Sequence, residues 1–157
     1  MEDTATVNET AAPAAGRAVP VSFWAIAGIS LLWNAFGGYD YLMTRLRNED
    51  YLSQMGNTQD ILAWIDAMPI WAQIAWPIGV WGSVLGSVLL LMRSRHAVIA
   101  FAVSLVGAVV SFVAQYASPL PASLDTTLNK VMPLVILAII VFLWWFSRRS
   151  QASGILR

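Results

Sequence analysis

Four long stretches without a charged residue constrain this chain more than any other feature. They cover residues 18–39, 67–92, 97–124 and 131–147. A helix needs roughly 20 apolar residues to cross the hydrocarbon core of a bilayer, which is about 30 Å thick. Only 11% of the chain is charged, whereas a typical soluble domain carries about 25%. The chain is therefore predicted to cross a membrane four times.

The four spans are expected to be helices and not barrel strands. Within hydrocarbon, backbone polar groups must be paired inside a helix or a closed barrel. The strings VIAFAVSLVGAVVSF and PLVILAIIVFLWWF lack the alternation of barrel strands. We predict an all-α fold, with a single four-helix transmembrane domain over residues 20–148. Its helices should cover about residues 20–42, 69–92, 96–117 and 131–147, between a disordered tail (1–19) and a short C-terminal tail (149–157).

The longest loop, about residues 44–68, carries most of the extramembrane character. Its first part, TRLRNEDYLSQM, can continue the first helix until Gly56 and Asn57 break it. Thr58 is expected to cap a short helix through QDILAWIDAM, because threonine accepts hydrogen bonds from the first helical amides. The apolar face of this helix suits a membrane interface. Pro69 then fits the first turn of the second span.

The distribution of Lys and Arg predicts the orientation. With four spans, both termini and the tight turn at residues 93–96 share one side, which holds six arginines. The opposite side holds Arg45, Arg47 and Lys130. Cytoplasmic loops carry the excess of Lys and Arg. Both termini are therefore predicted to be cytoplasmic, and the short interfacial helix of the long loop periplasmic.

The first span contains an amide and two glycines in its polar half. Asn34 lies near the middle of the membrane, where a lone amide normally bonds to a neighbouring helix. Gly37 and Gly38 would let another backbone or a ligand come close. Two interpretations stay open: an interhelical hydrogen bond with a packing notch, or a ligand site reached from the periplasm.

Asp40 is the acidic residue that most closely borders a span. An ionisable group inside a bundle is by default a candidate functional group, here for a proton relay or a cation site. The alternative is an interfacial carboxylate that pairs with Arg45 or Arg47 or is simply hydrated.

Small residues recur at helical spacing in the second and third spans. Such rows let helix backbones approach closely in a membrane. They comprise Gly79, Gly82, Ser83 and Gly86 in the second span, and Ser104, Gly107 and Ser111 in the third. The first three spans should therefore pack through small residues. The fourth has none between Pro133 and Ser147 except Ala138, and should face lipid or a partner.

Polar and aromatic residues gather in the predicted periplasmic third. They are Tyr39, Asp40, Tyr41, Trp64, Trp71, Gln73, Trp76, Gln115 and Tyr116. Aromatic faces with amide and carboxylate groups suit a sugar-like or other polar solute. The alternative is the belt of Trp and Tyr found at the interfaces of membrane proteins. The candidate residues for solute binding or interhelical bonding are Asn34, Asp40, Gln73, Trp76 and Gln115.

The residue types present argue against catalysis and cofactors. The chain has no Cys and one His, His96, which excludes bis-His haem and Cys-rich or His-rich zinc sites. A Ser–His–Asp triad would require Asp40 or Asp125 to reach His96 across the membrane. The net charge of zero gives no indication of nucleic-acid binding. We expect no enzyme, no metal and no cofactor.

Two strings, WNAFGGYDYLMTRLRNEDYL and TQDILAWIDAMPIWAQIAWPIGVWGSVLGSVLLLMRSRHA, resemble a family of small bacterial inner-membrane proteins. These four-helix proteins are often labelled "sugar transporter" or uncharacterised. The similarity covers roughly residues 20–118. It implies a location in the bacterial inner membrane and raises the expectation of transport.

Two functions from different classes therefore remain open. One is a non-enzymatic module that packs helices or binds a partner, either a second copy or another membrane complex, within membrane lipid. The other is an oligomeric transporter of a small polar, sugar-like solute. Four helices of this length enclose little aqueous volume, so transport is expected to need a dimer.

Overall fold

The structure is a computed structural model that describes residues 19–157. Within these residues the chain forms six helices and no strand, which confirms the predicted all-α class. The helices are α1 (Val21–Arg45), α2 (Glu49–Ser53), α3 (Thr58–Asp66), α4 (Ile70–Leu91), α5 (Ala97–Ala117) and α6 (Thr127–Ala152). The disordered tail predicted at residues 1–19 falls almost wholly outside the described residues.

Four helices, α1, α4, α5 and α6, are long and apolar enough to span a membrane, by length and composition. The last is longer than the uncharged stretch 131–147, because it continues through Arg148 and Arg149 to Ala152. The two guanidinium groups lie over the rings of Trp144 and Trp145, at 5.1 and 5.6 Å. Arginine is a good helix former, and a cation is favourable in the last turn. A charge therefore ends the apolar stretch but not the helix.

The four long helices pack in the order α1, α4, α5, α6, each against the next. At the α4–α5 crossing, a Cβ atom built on Gly107 would lie 2.6 Å from the backbone nitrogen of Gly79. A Cβ atom on Gly82 would lie 2.9 Å from Cβ of Ser104. The Ser104 hydroxyl donates a hydrogen bond to the Gly79 carbonyl oxygen at 2.6 Å. The two backbones therefore meet at a distance that only glycine permits.

Of the other small residues, some contact a neighbouring helix and others face open space. A Cβ on Gly86 would meet the Phe101 ring at 2.9 Å, and one on Gly38 would meet Val84 at 3.5 Å. Gly37 has nothing within 4 Å of its added Cβ. The prediction that another helix packs closely against Gly37 is therefore wrong for the described residues of this chain. The buried Ser83 hydroxyl donates to the Val80 carbonyl of its own helix.

The end of the bundle at residues 92–96, called here the turn end, holds a hydrophobic cluster. Phe23 of α1, Leu90 of α4, Phe101 of α5 and Leu143 of α6 are all at most 2% exposed there. Leu156 joins this cluster, because the chain turns back after α6. The Arg157 amide donates to the Arg93 carbonyl, and the Arg95 amide donates to the Arg157 carbonyl. Residues 149–152 thus form the end of α6, and residues 153–157 fold back and pack against the turn end.

The opposite end of the bundle, called the loop end, carries α2, α3 and residues 118–126. The string TRLRNEDYLSQM does not continue α1: the helix ends at Arg45, and Arg47 has a positive φ of 53°. Asn48 then caps α2. Asn57, and not Thr58, caps α3, accepting from the amides of Gln59 and Asp60. The short helix therefore begins at Thr58, one residue before the predicted string QDILAWIDAM, and ends at Asp66, two residues before its end.

A second hydrophobic cluster holds α2 and α3 on the bundle. Leu52 of α2 is fully buried, and Ile61 and Ile65 of α3 are at most 7% exposed. They pack with Leu124 of the α5–α6 loop. Burial of such side chains is worth about 1.5–3 kcal/mol each. The two short helices therefore form a fixed cover over the loop end, called the cover below (residues 49–66).

Candidate functional site

A cavity of about 200 Å³ lies beneath the cover. All four long helices line it: α1 with Asp40, α4 with Trp76, α5 with Gln115 and α6 with Asn129. The cover and the α5–α6 loop contribute mainly apolar walls. The helices thus meet tightly at the turn end and leave a partly open cavity at the loop end.

The cavity reaches below the ends of the helices. Asp40 lies five residues before the end of α1 at Arg45, and Trp76 six residues after the start of α4 at Ile70. Ser111 lies six residues before the end of α5 at Ala117. At a rise of 1.5 Å per residue, these positions lie about 8–9 Å inside the helix ends. Gln115 and Asn129 lie only two residues from the ends of α5 and α6, so the site extends from the helix ends to about 8–9 Å within the bundle.

Asp40 has a neutral partner and no basic one among residues 19–157. Its Oδ1 accepts a hydrogen bond from the Tyr51 hydroxyl of α2 at 2.8 Å. Of the two predicted bases, Arg47 pairs instead with Asp66 at 2.6 Å, where both side chains are more than half exposed, and Arg45 takes part in no ion pair within residues 19–157. The predicted pairing of Asp40 with Arg45 or Arg47 is therefore wrong. The turn at Arg47 directs its side chain to α3.

Tyr51 ties the cover to the cavity. Burial, the hydrogen bond to Asp40 and the negative charge of Asp40 together raise the pKa of Tyr51 to about 12. The phenol is therefore a hydrogen-bond donor throughout the physiological range. Two further contacts hold α3: Arg47 with Asp66, and the Ser123 hydroxyl donating to Asp60 at 2.6 Å.

Trp64 of α3 contributes its indole ring to the wall of the same cavity. Within residues 19–157 its Nε1 atom has no hydrogen-bond partner, and less than 1 Å² of that atom is accessible. A buried polar group without a partner costs about 1–3 kcal/mol. This donor therefore lies behind the cavity wall, out of reach of a solute in the cavity.

Trp76 forms an aromatic wall. Its ring meets that of Tyr41 edge to face, with centroids 5.1 Å apart, and Tyr41 makes a similar contact with Trp81 at 6.3 Å. Such pairs are worth about 0.5–1.5 kcal/mol beyond their burial. They fix the orientation of the Trp76 ring at the cavity.

Three of the five candidate polar residues come together in the cavity, Asp40, Trp76 and Gln115. The other two make structural bonds elsewhere. Asn34 is 5% exposed, and its amide donates to the Ser87 hydroxyl of α4 at 2.8 Å. The Gln73 amide donates to the Met68 carbonyl at 3.0 Å, just before α4 begins. Asn34 therefore links α1 to α4, and Gln73 stabilises the turn that precedes α4.

Four polar lining residues fall outside the five candidates. Thr44, Ser111 and Asn129 add hydroxyl and amide groups, and Trp64 adds its indole. Thr44 could have been found, since it follows Asp40 by four residues and therefore shares its helix face. For Ser111 the sequence predicts only a role in helix packing. Nothing in the sequence indicates that Asn129 lines the site, because its position in the cavity depends on how the α5–α6 loop folds.

No family model, curated protein or solved structure matches this chain. Within residues 19–157, no three His, Cys, Asp or Glu side chains are grouped so that they could hold a metal ion. The geometry of the cavity is therefore the main guide to function.

Proposed function

We propose that this multi-pass membrane protein captures a small polar solute, without catalysis, in the cavity at the loop end. The observation that carries the proposal is that one partly open cavity collects Asp40, Gln115 and the Trp76 ring from three different helices. Ligand sites typically combine apolar walls with a few converging polar groups, often between the helices of a bundle. The volume of about 200 Å³ is below the roughly 300–1,000 Å³ of sites for drug-sized ligands. The solute is therefore small.

The proposal is capture rather than passage through one chain. Beyond the cavity, toward the turn end, the backbones of Gly79 and Gly107 are in contact, and Ser104 bonds across the same crossing. Phe23, Leu90 and Phe101 close the turn end. An oligomeric transporter of a sugar-like solute would need these contacts to open, or a path between two copies.

The second candidate is the partner-binding or helix-packing module that the sequence favours. An open groove of about 550 Å³ between α4 and α5 supports it. Small side chains form its floor, among them Ala75, Ala102 and Gly107. Small residues are enriched where membrane helices associate. The groove would take a helix of a second copy or of another membrane complex, with lipid chains as competitors.

The proposed location is the bacterial inner membrane, with both termini in the cytoplasm. The excess of arginine at the turn end and the termini supports this orientation. The cavity would then open toward the periplasm. A reporter fused after Asn57 should give a periplasmic signal, and a cytoplasmic signal would overturn the orientation without affecting the cavity.

The test of solute capture is thermal unfolding of the protein in nanodiscs with a panel of small sugars, polyols, amino acids and amines. A bound solute at 100 times its Kd should stabilise the fold by about 2.7 kcal/mol. Trp76→Phe should reduce this stabilisation, because the smaller ring removes part of the aromatic surface that contacts the solute. Trp71→Phe is the matched control, since Trp71 lies at the surface and is 48% exposed. A panel without any stabilising member, or equal effects in both variants, would refute the proposal.

A further inference from the structure

The cavity contains one formal charge. Asp40 is the only acidic or basic residue among those that line it within the described part of the chain. Two of the three bases of the loop end are engaged elsewhere, Arg47 with Asp66 and Lys130 with Asp125 at 2.5 Å. The third, Arg45, is exposed at the end of α1 and does not line the cavity. Charges in a partly buried cleft act through a lower dielectric than in water. The cavity is therefore electronegative, and a cation gains more from it than a neutral solute does.

Two indole rings, those of Trp64 and Trp76, line the same space. The face of a Trp ring attracts a cation within about 6 Å, and the attraction strengthens when the cation is desolvated. Organic ammonium groups are well suited to such a wall, because their alkyl surface also packs against apolar side chains. A metal cation is disfavoured here, since it would require several oxygen ligands.

The lining also offers hydrogen bonds to an oxygen on the ligand. The polar remainder of the lining, Thr44, Ser111 and Gln115, can bond to a hydroxyl as donor or acceptor.

Taking the proposed capture function as its basis, we infer that the solute is a small organic ammonium compound that carries an oxygen acceptor, in the class of amino alcohols. The ammonium group lies against the Asp40 carboxylate and the indole wall, and the oxygen bonds to the polar lining of Thr44, Ser111 and Gln115. A neutral polyol would bond to the same polar groups but leave the carboxylate without a counter-ion. An ammonium compound and a neutral polyol should therefore differ in affinity because only the first pairs with the Asp40 carboxylate.

The first experiment compares isosteres on the unchanged protein in nanodiscs by calorimetric titration. Choline supplies the ammonium and the hydroxyl, 3,3-dimethyl-1-butanol supplies the same shape without charge, and tetramethylammonium supplies charge without oxygen. We expect choline to bind at least tenfold more tightly than either analogue. Equal binding of choline and its neutral isostere would overturn the inference.

The second experiment uses variants that keep the shape of the site. Asp40→Asn retains an oxygen for the Tyr51 hydroxyl, removes the charge, and should weaken choline binding at least tenfold. Asp50→Asn is the matched control, because Asp50 is exposed on α2 outside the cavity, and should leave affinity unchanged. Trp64→Phe should weaken both choline and tetramethylammonium, because it replaces the indole by a ring that attracts a cation less strongly.

The outcomes separate the inference from the function on which it rests. Saturable binding of glycerol or a monosaccharide, unchanged by Asp40→Asn, would refute the ammonium assignment and leave solute capture standing. Failure of ammonium compounds, polyols and sugars alike to give saturable binding would refute both. A tenfold loss on Asp40→Asn with an unchanged unfolding temperature supports the assignment. The same loss on Asp50→Asn contradicts it.

Discussion

The α4–α5 crossing gives a sharp prediction for Gly107→Ala. The added Cβ would lie 2.6 Å from the Gly79 backbone nitrogen and 2.9 Å from the Ala75 carbonyl oxygen. Neither backbone atom can rotate away. To bring the shorter distance from 2.6 Å to the 3.4 Å of an ordinary contact, the helices must separate locally by about 0.8 Å. The same movement stretches the 2.6 Å bond from Ser104 to Gly79.

The free-energy terms oppose one another. Overpacking a well-fitted interface costs about 1–3 kcal/mol, and an interhelical hydrogen bond in a membrane contributes about 0.6 kcal/mol. Replacing glycine by alanine within a helix stabilises the helix by about 1 kcal/mol, because alanine has the higher helix propensity. Gly107→Ala should therefore lower the free energy of unfolding by about 1–2 kcal/mol.

The control for this prediction is Gly37→Ala in α1. Its Cβ would meet nothing within 4 Å, so only the propensity gain remains, and the variant should be more stable by about 0.5–1 kcal/mol. Reversible unfolding in mixed detergent micelles measures both variants. A Gly107→Ala protein as stable as the Gly37→Ala protein would show that the crossing tolerates a methyl group, and would refute the close contact.

Two further predictions concern hydrogen bonds between elements. A double-mutant cycle of Asn34→Ala and Ser87→Ala should give a coupling of about 0.6 kcal/mol and at most about 1.7 kcal/mol, measured by unfolding; a coupling of zero contradicts the bond between them. Because the pKa of Tyr51 rises from 10.0 to about 12 in the folded protein, its stabilising contribution is complete below pH 10 and is lost as pH approaches 12. Tyrosinate absorbance should show a transition in that window that Tyr51→Phe removes, and an unchanged titration curve in the variant would contradict it.

The architecture could be predicted because hydrocarbon imposes one local requirement on every segment within it. A run of about 20 apolar residues must be helical there, and such runs can be recognised without knowing what lies beside them. The errors fall where this requirement ends. Both the stop of α1 at Arg45 and the continuation of α6 past Arg149 lie at polar boundaries, where capping and side-chain contacts decide.

The candidate site was only partly accessible to the same reasoning. Asp40, Trp76 and Gln115 meet because each lies within about two turns of a helix end on the same side of the bundle. Asn34 was open to a ligand or to an interhelical bond, and its amide donates to Ser87. No pattern along the chain indicates which of two nearby polar groups will be bonded within the protein.

The sequence alone determined the all-α class and the number of helices that can span a membrane, since hydropathy is a property of each segment by itself. Tertiary structure decided that α2 and α3 cover a cavity, that Arg47 pairs with Asp66 and not with Asp40, and that Trp64 Nε1 stays without a partner. These outcomes depend on the rotation and register of one helix against another. Both are set by side-chain packing between distant segments.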